Sequence, residues 1–387
     1  MKQFETMAER QGGNKATTPS GKPRAASLAL QFPGASGRLN SITDVQGVSV
    51  GYTTIVEGVG QLVVGEGPIR TGVTAILPRP LDQLCAPVMA GLFSLNGNGE
   101  LTGSHYIEEV GKFSLPITIT NTHSCGMARD ATIRWAAKRF PEHFSDDFAL
   151  PVAAETYDGF LNDINGFHVT QEHVSEAINN AVSGSIEEGS VGGGTGMKCF
   201  GFKAGSGTAS RIVDFDEMDY TVGTFVQANF GSRKDLRILG HSIGQRLTDP
   251  KVVQNSPDPD LSSIIVVIAT DAPLLPHQLK RLARRATLGV GNTGGFARHG
   301  SGDIFIAFST ANGVSNSYAS KRLLNLTMIP DEHLDPFFEA VVQSTEEAIL
   351  NSLIANSDMV GRDGNFVPSI PHSEILKWQN PRASASA

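Results

Sequence analysis

The first 27 residues are polar and show no repeating apolar spacing. The run QGGNKATTPSGKPR cannot bury enough apolar surface to offset its ordering entropy, so residues 1–27 read as a flexible arm, with structure beginning near Leu28. Between residues 42 and 78, DVQGVSVGYTTI and TGVTAILP set β-branched residues between glycines, as short strands closed by tight turns do. LPITITNT (115–122) and FALPVAAE (148–155) read as further strands. Between them MARDATIRWAAKRF (127–140) has helical spacing, ended by Pro141. TQEHVSEAINNAV (170–182) is a second helix with Thr170 placed to cap it. YTVGTFVQANFG (220–231) and SSIIVVIATD (262–271) are buried strands on either side of the polar QRLTDPKVVQNSPDPDL, which reads as a mobile loop. Residues 276–286 form a helix begun by a proline, and PFFEAVVQSTEEAILNSL has helical spacing again. Alternating strands and helices, with strands apolar throughout, predict an α/β or α+β layered protein whose sheets are covered on at least one face.

Composition narrows the function. The 387 residues are 40% hydrophobic, enough for a large core, and the formal net charge of -8 gives no electrostatic footprint for nucleic acid or an anionic membrane. A small-molecule or peptide substrate fits better. Cys85, Cys125 and Cys199 lie far apart, which suggests neither a disulfide framework nor a zinc site. The N-terminal region lacks the unbroken apolar stretch of a signal peptide or membrane helix, so a cytoplasmic protein is expected. No cluster of His, Asp or Glu stands out, and no cofactor or metal is expected.

Two glycine motifs offer chemistry and fail on context. The segment 188–207 is the most glycine-dense but has no GK[ST] ending, and reads as a close-packed loop. Gly289, Gly291 and Gly294 match the GxGxxG spacing, yet they follow a helix and lead into a strand, the reverse of a dinucleotide-binding turn. The sharper feature is GGFARHGSGDIFIAFSTAN (294–312), where Ser301 opens a strand between Gly300 and Gly302. Missing side chains on both sides let backbone approach a reacting carbonyl. Taken alone, GSGD reads first as an ordinary hairpin or strand entry.

Seven blocks change that reading: GRLNSITDVQGVSVGYTT (37–54), NGNGELTG (96–103), PITITNTHSCG (116–126), ETYDGFLNDINGFHV (155–169), VQANFG (226–231), ATDAPLLPHQLKRLARRA (269–286) and SGDIFIAFSTAN (301–312). In this order, across 32–368, the chain resembles the L-aminopeptidase/D-Ala-esterase-amidase and β-aminopeptidase family. The resemblance implies an α+β protein with a four-layer αββα sandwich and self-cleavage of Gly300–Ser301 into an α chain (28–300, after the arm) and a β chain (301–387). It also implies a homo-oligomer of αβ units that hydrolyses short peptides, amino-acid amides or esters. Freed Ser301 would be the nucleophile, with its own α-amino group as base. Tyr157 and Asn229 would donate to the oxyanion, Glu155 would bind the substrate ammonium, and Ser344 with Glu346 would position Ser301. Glu155 and Tyr157, two apart on an extended segment, would point to the same side. Ser344 and Glu346 do not share a helical face, which leaves Glu347 open as a substitute. An acyltransferase of the ornithine acetyltransferase type, a conventional hydrolase built on Ser124 or Cys125 with His123, and a non-catalytic relic of the fold are the alternatives.

Overall fold

The apolar runs become two mixed sheets laid face to face in the computed structural model, which describes residues 15–256, 261–313 and 323–379. In chain order the strands of these two sheets are β1 (Ser49–Glu57), β2 (Ile69–Leu77), β3 (Val88–Gly97), β4 (Lys112–Phe113), β5 (Ile117–Asn121), β6 (Val152–Thr156), β7 (Ser206–Phe215), β8 (Met218–Asn229), β9 (Ser262–Thr270) and β10 (Ser301–Ser309). The helices are α1 (Ser104–Val110), α2 (Cys125–Arg139), α3 (Gln171–Asn179), α4 (Pro276–Asn292), α5 (Asp335–Ile354) and α6 (His372–Gln379). One sheet runs β1-β2-β5-β6, the other β4-β3-β10-β9-β8-β7. Each holds one parallel pair, β5–β6 or β9–β10, and a parallel pair needs a crossover: α2 spans the first and α4 the second.

Three apolar layers bind four structural ones. Ala128, Ala131 and Trp135 of α2, with Val174 and Ile178 of α3, pack on the outer face of the first sheet at Val73, Ala75 and Leu77. Between the sheets, Val50, Ile76 and Ile119 meet Phe225, Ile265 and Ile304. Leu279 and Leu282 of α4 and Phe337 and Val341 of α5 cover Val226, Ile264, Val266 and Phe305 on the far side. This is the αββα order that the resemblance implied. β2 and β10 are buried at all nine positions, because both are inner strands with a layer on each face.

Several expectations need correction. Residues 1–14 lie outside the described residues, but 15–27 are not a free arm. Arg24 is buried, pairs with buried Glu188 at 2.5 Å and donates to the carbonyls of Leu39, Asn40 and Thr208, while Ala25 is fully covered. The polar loop between β8 and β9 is pinned where it is described, since Val253 bridges Phe366 and Asn255 N–H donates to Asn365. α4 runs on to Asn292 through the GxGxxG match: a Cβ at Gly289 would stand 2.6 Å from Thr345 Cβ, so this glycine is a seam between α4 and α5. The glycine-dense segment folds as the close-packed loop expected. Its turn at Gly192–Gly194 lies buried, with Gly192 and Gly193 N–H groups donating to Thr54 and Thr74.

Candidate active site

The chain reaches Ser301 from α4 through the loop 293–300, so the serine stands at the first position of a strand entered from a helix. Ser301 pairs in register with Ser262 of β9, and Ser262 N–H donates to the Gly300 carbonyl at 3.2 Å. The bond expected to break is therefore already part of the parallel ladder. Ser301 is buried, its N–H donates to Arg298 O, and its hydroxyl donates to Asp303 Oδ1 at 2.6 Å. Asp303 belongs to the site and sequence reading missed it. The signal was available, because residues two apart on a strand share a face. Burial pushes the Asp303 carboxyl up, while the Ser301 hydroxyl and a backbone hydrogen bond with Ile264 pull it back.

The turn after β3 covers the same bond. Asn98 Nδ2 donates to Gly300 O at 2.9 Å, and Asn96 Nδ2 donates to the carbonyls of Ala297 and Arg298. The close fit explains Gly302, where a Cβ would lie 2.4 Å from the Asn98 carbonyl. A shift in the β3–β10 register at Asp303/Ile304 bends the strands here.

On the other side of this turn lies Glu155, near the end of β6. Its carboxylate accepts from Glu100 N–H at 2.9 Å and from the Thr122 hydroxyl. Gly99 sits between it and the cleavage site: a Cβ there would be 3.2 Å from both Glu155 Oε1 and Gly302 Cα. Glu155 is 3% exposed, and these two partners are neutral. Burial is the largest influence on it and raises its carboxyl above the ordinary range against those hydrogen bonds. The salt-bridge alternative for Glu155 finds no partner among the described residues.

β6 ends at Thr156, so the alternation expected to set Tyr157 beside Glu155 lapses. The phenol folds instead over Gly159, where a Cβ would meet its oxygen at 2.4 Å. Asn229, buried at the end of β8, donates from Nδ2 to Tyr157 O at 2.8 Å and accepts from Lys198 N–H at 3.0 Å. Tyr157 and Asn229 are thus brought together, with one amide hydrogen of Asn229 outside that bond. The two faces of the second sheet divide the remaining residues. Asn229 lies in register with Ser263 and Gly302 and faces between the sheets, whereas Ser301 and Asp303 share the helix-covered face with Phe305.

Ser344 lies in the helix layer on the same side as the Ser301 hydroxyl but is not brought to it. Its own hydroxyl shares a 2.7 Å hydrogen bond with Thr224 and donates to Ala340 O at 2.7 Å. Thr224 pairs with Ile268 and Ile268 with Ala307, six residues up β10 from Ser301, or roughly 20 Å at strand rise. Glu346 turns toward α4 and accepts from Asn292 Nδ2 at 2.9 Å, at the end of the helix whose following loop delivers Ser301. The divergence follows from regular helix geometry at i and i+2. Glu347 is committed elsewhere, paired with buried Arg211 at 2.8 Å and with Asn40.

At the Ser124 and Cys125 alternative, Thr122–Ser124 is a single 3-10 turn and Cys125 opens α2. Burial, then Glu155 and Glu100, push the Cys125 thiol up to about 12, far from a thiolate. Among the described residues no group of three or more His, Cys, Asp or Glu could hold a metal ion, and no helix is long and apolar enough to cross a membrane.

The chain is similar to known proteins along most of its length. Residues 40–367 match the profile of Peptidase family S58. The chain is 48% identical over 365 residues to the β-peptidyl aminopeptidase BapA of Sphingosinicella microcystinivorans, covering 91% of each chain. Among solved structures it resembles the L-aminopeptidase D-Ala-esterase/amidase of Ochrobactrum anthropi, described as a variant of the Ntn hydrolase fold, with TM-score 0.87 and 49% identity over 93% of this chain and 99% of that one. A β-aminopeptidase of a Burkholderia species matches with TM-score 0.83 and 43% identity over 92% and 98%. These matches favour the hydrolase over the acyltransferase and the relic: the chain belongs to peptidase family S58 and is an aminopeptidase.

Proposed function

We propose that this chain is a precursor that cuts its own Gly300–Ser301 bond and then uses Ser301 to remove N-terminal residues from short peptides, amino-acid amides and esters, β-amino compounds included. The substrate class follows the names of its relatives. A hydroxyl is a weak nucleophile at neutral pH, and a freed Ser301 carries a base in its own α-amino group, whose unperturbed pKa is roughly 8. Cleavage supplies geometry as well. In the intact chain the hydroxyl of Ser301 faces the helix layer, away from Asn229, and freedom at a new terminus lets it turn toward the space between the sheets. There the second amide hydrogen of Asn229 and the Tyr157 phenol receive the charge that develops on a substrate carbonyl, a role worth roughly 3 kcal/mol per donor at other oxyanion holes. Glu346, through Asn292, acts in this reading as a positioning residue of the helix layer, while Ser344, bonded to Thr224 and Ala340 O, serves the packing of α5.

The observation that carries amine recognition is Glu155, a buried carboxylate with neutral partners, beside the cleavage site. A substrate ammonium supplies the missing countercharge by a charge-assisted hydrogen bond and holds the scissile carbonyl near Ser301. The test is kcat/KM for an amino-acid amide against its N-acetyl form. Wild-type enzyme discriminates strongly between them. Glu155→Gln keeps the size but loses the charge and most of that preference, and an unchanged ratio would make Glu155 structural. Assembly into a homo-oligomer of αβ units is part of the proposal, supported by the exposed apolar side chains of Val59, Val63 and Val64 on the segment between β1 and β2. A cytoplasmic setting is supported by three cysteines that lie outside any disulfide among the described residues.

A further inference from the structure

We propose that the side-chain amide of Asn98 and the backbone N–H of Ser262 form an oxyanion hole that serves cleavage of the chain's own Gly300–Ser301 bond, with Asp303 as the proton acceptor. This rests on the self-cleavage reading above and adds the residues that carry it out. The two donors converge on one atom: Gly300 O accepts from Asn98 Nδ2 at 2.9 Å and from Ser262 N–H at 3.2 Å. Donors must sit at about 2.7–3.1 Å from the position of the oxyanion. Both donors already point at the oxygen that would become the oxyanion, and the proposal requires both contacts to tighten as charge grows on it. Asp303 Oδ1 already holds the hydroxyl of Ser301 at 2.6 Å on the helix-covered face. Neither Asn229 nor Tyr157 enters this set, because Asn229 faces between the sheets and bonds Tyr157 O.

The chemistry balances with water as the only co-reactant. Asp303 takes the proton of Ser301 Oγ as that oxygen bonds to the Gly300 carbonyl carbon, and the resulting oxyanion rests on Asn98 and Ser262. The Gly300–Ser301 C–N bond then breaks, the departing amine receives the proton from Asp303, and an ester links Gly300 to Ser301 Oγ. Water hydrolyses the ester, leaving a carboxylate on Gly300 and a free amine and hydroxyl on Ser301. Gly302 belongs to the same device, since a Cβ there would push the 97–99 turn, and Asn98 with it, off the bond.

Asn96 provides the control. It anchors the same loop through the carbonyls of Ala297 and Arg298 but does not touch Gly300 O. Wild type, Asn98→Ala, Asn98→Asp and Asn96→Ala are made by cell-free synthesis, and after translation is stopped the full-length fraction is followed by intact mass. Asn98→Ala slows cleavage by about 10²–10³, the usual loss for one oxyanion donor. Asn98→Asp keeps the size but puts a carboxylate against the oxyanion, and slows cleavage at least as much. Asn96→Ala costs less than about tenfold, the worth of ordinary neutral hydrogen bonds. Wild-type cleavage rates in either Asn98 variant, or an Asn96→Ala effect as large as that of Asn98→Ala, overturn the assignment while leaving self-cleavage intact. A wild-type chain that stays whole removes the self-cleavage reading itself. Folding is checked by adding Asn98→Ala to an uncleavable Ser301→Ala chain: a melting temperature lowered only slightly, as for one neutral hydrogen bond lost, upholds the chemical role, and a collapse of the fold contradicts it.

Discussion

The two faces at the start of β10 carry different polar sets. On the helix-covered face the hydroxyl of Ser301 is bonded to Asp303, next to a backbone carbonyl held by Asn98 and Ser262. Toward the first sheet stand Glu155, held by Glu100 N–H and the Thr122 hydroxyl, and Asn229, bonded to Tyr157 O. In the proposal the first set acts on the protein's own peptide bond. The second, in the same proposal, gains its nucleophile when Ser301 is freed and turns. Substitutions should therefore divide between maturation and turnover, and only Ser301 belongs to both.

The largest effect is expected at Ser301 itself: Ser301→Ala stays uncleaved and inactive, and turnover near the wild-type rate would remove it as nucleophile. Asp303→Asn comes next. Losing a positioned proton acceptor should slow self-cleavage by about 10²–10⁴, read from the disappearance of full-length chain. A wild-type rate would show that the 2.6 Å hydrogen bond is only structural.

The Glu155 prediction concerns pH. Its folded-state carboxyl is raised, chiefly by burial, and substrate binding needs the ionised form. kcat/KM should therefore fall as pH drops through a limb lying above the ordinary carboxylate range, and a second limb, near the α-amine of Ser301, should lie at higher pH. Glu155→Gln removes the lower limb and leaves the upper, with self-cleavage proceeding. Replacing His123, His168 or His299 singly leaves the upper limb in place; its loss with any of them would give that histidine the role of base.

The smallest effect is expected at Ser344, whose hydroxyl bonds Thr224 and Ala340 O inside α5 packing. Ser344→Ala should cost about 1 kcal/mol, measured as a lower melting temperature. An unchanged melting temperature would show that these two hydrogen bonds add nothing to stability.

These contrasts explain what the sequence made legible. The inner strands β2, β9 and β10 were readable because burial on both faces forces long apolar runs. β3 and β7 were not, since VMAGLFSLNG and SGTASRIVDF carry small residues where helices and loops press close, and no clean alternation survives. Residues 15–27 misled because one buried ion pair, Arg24 with Glu188, fixes a segment whose composition is that of an arm. At the site, GSGD marked Ser301 only as a strand entry until the family resemblance made it a nucleophile, and alternation could have given Asp303. Asn98 was quoted within NGNGELTG, but only the turn after β3 shows that its amide reaches Gly300 O. Ser344 and Glu346 followed from resemblance, and regular helix geometry sends them to different neighbours.

The central claim is that Gly300–Ser301 is broken in the working enzyme. Intact-mass measurement of freshly purified, active protein tests it most directly. The account predicts two chains, residues 1–300 and 301–387, with a serine at the new N-terminus. An active preparation consisting of one full-length chain would contradict it.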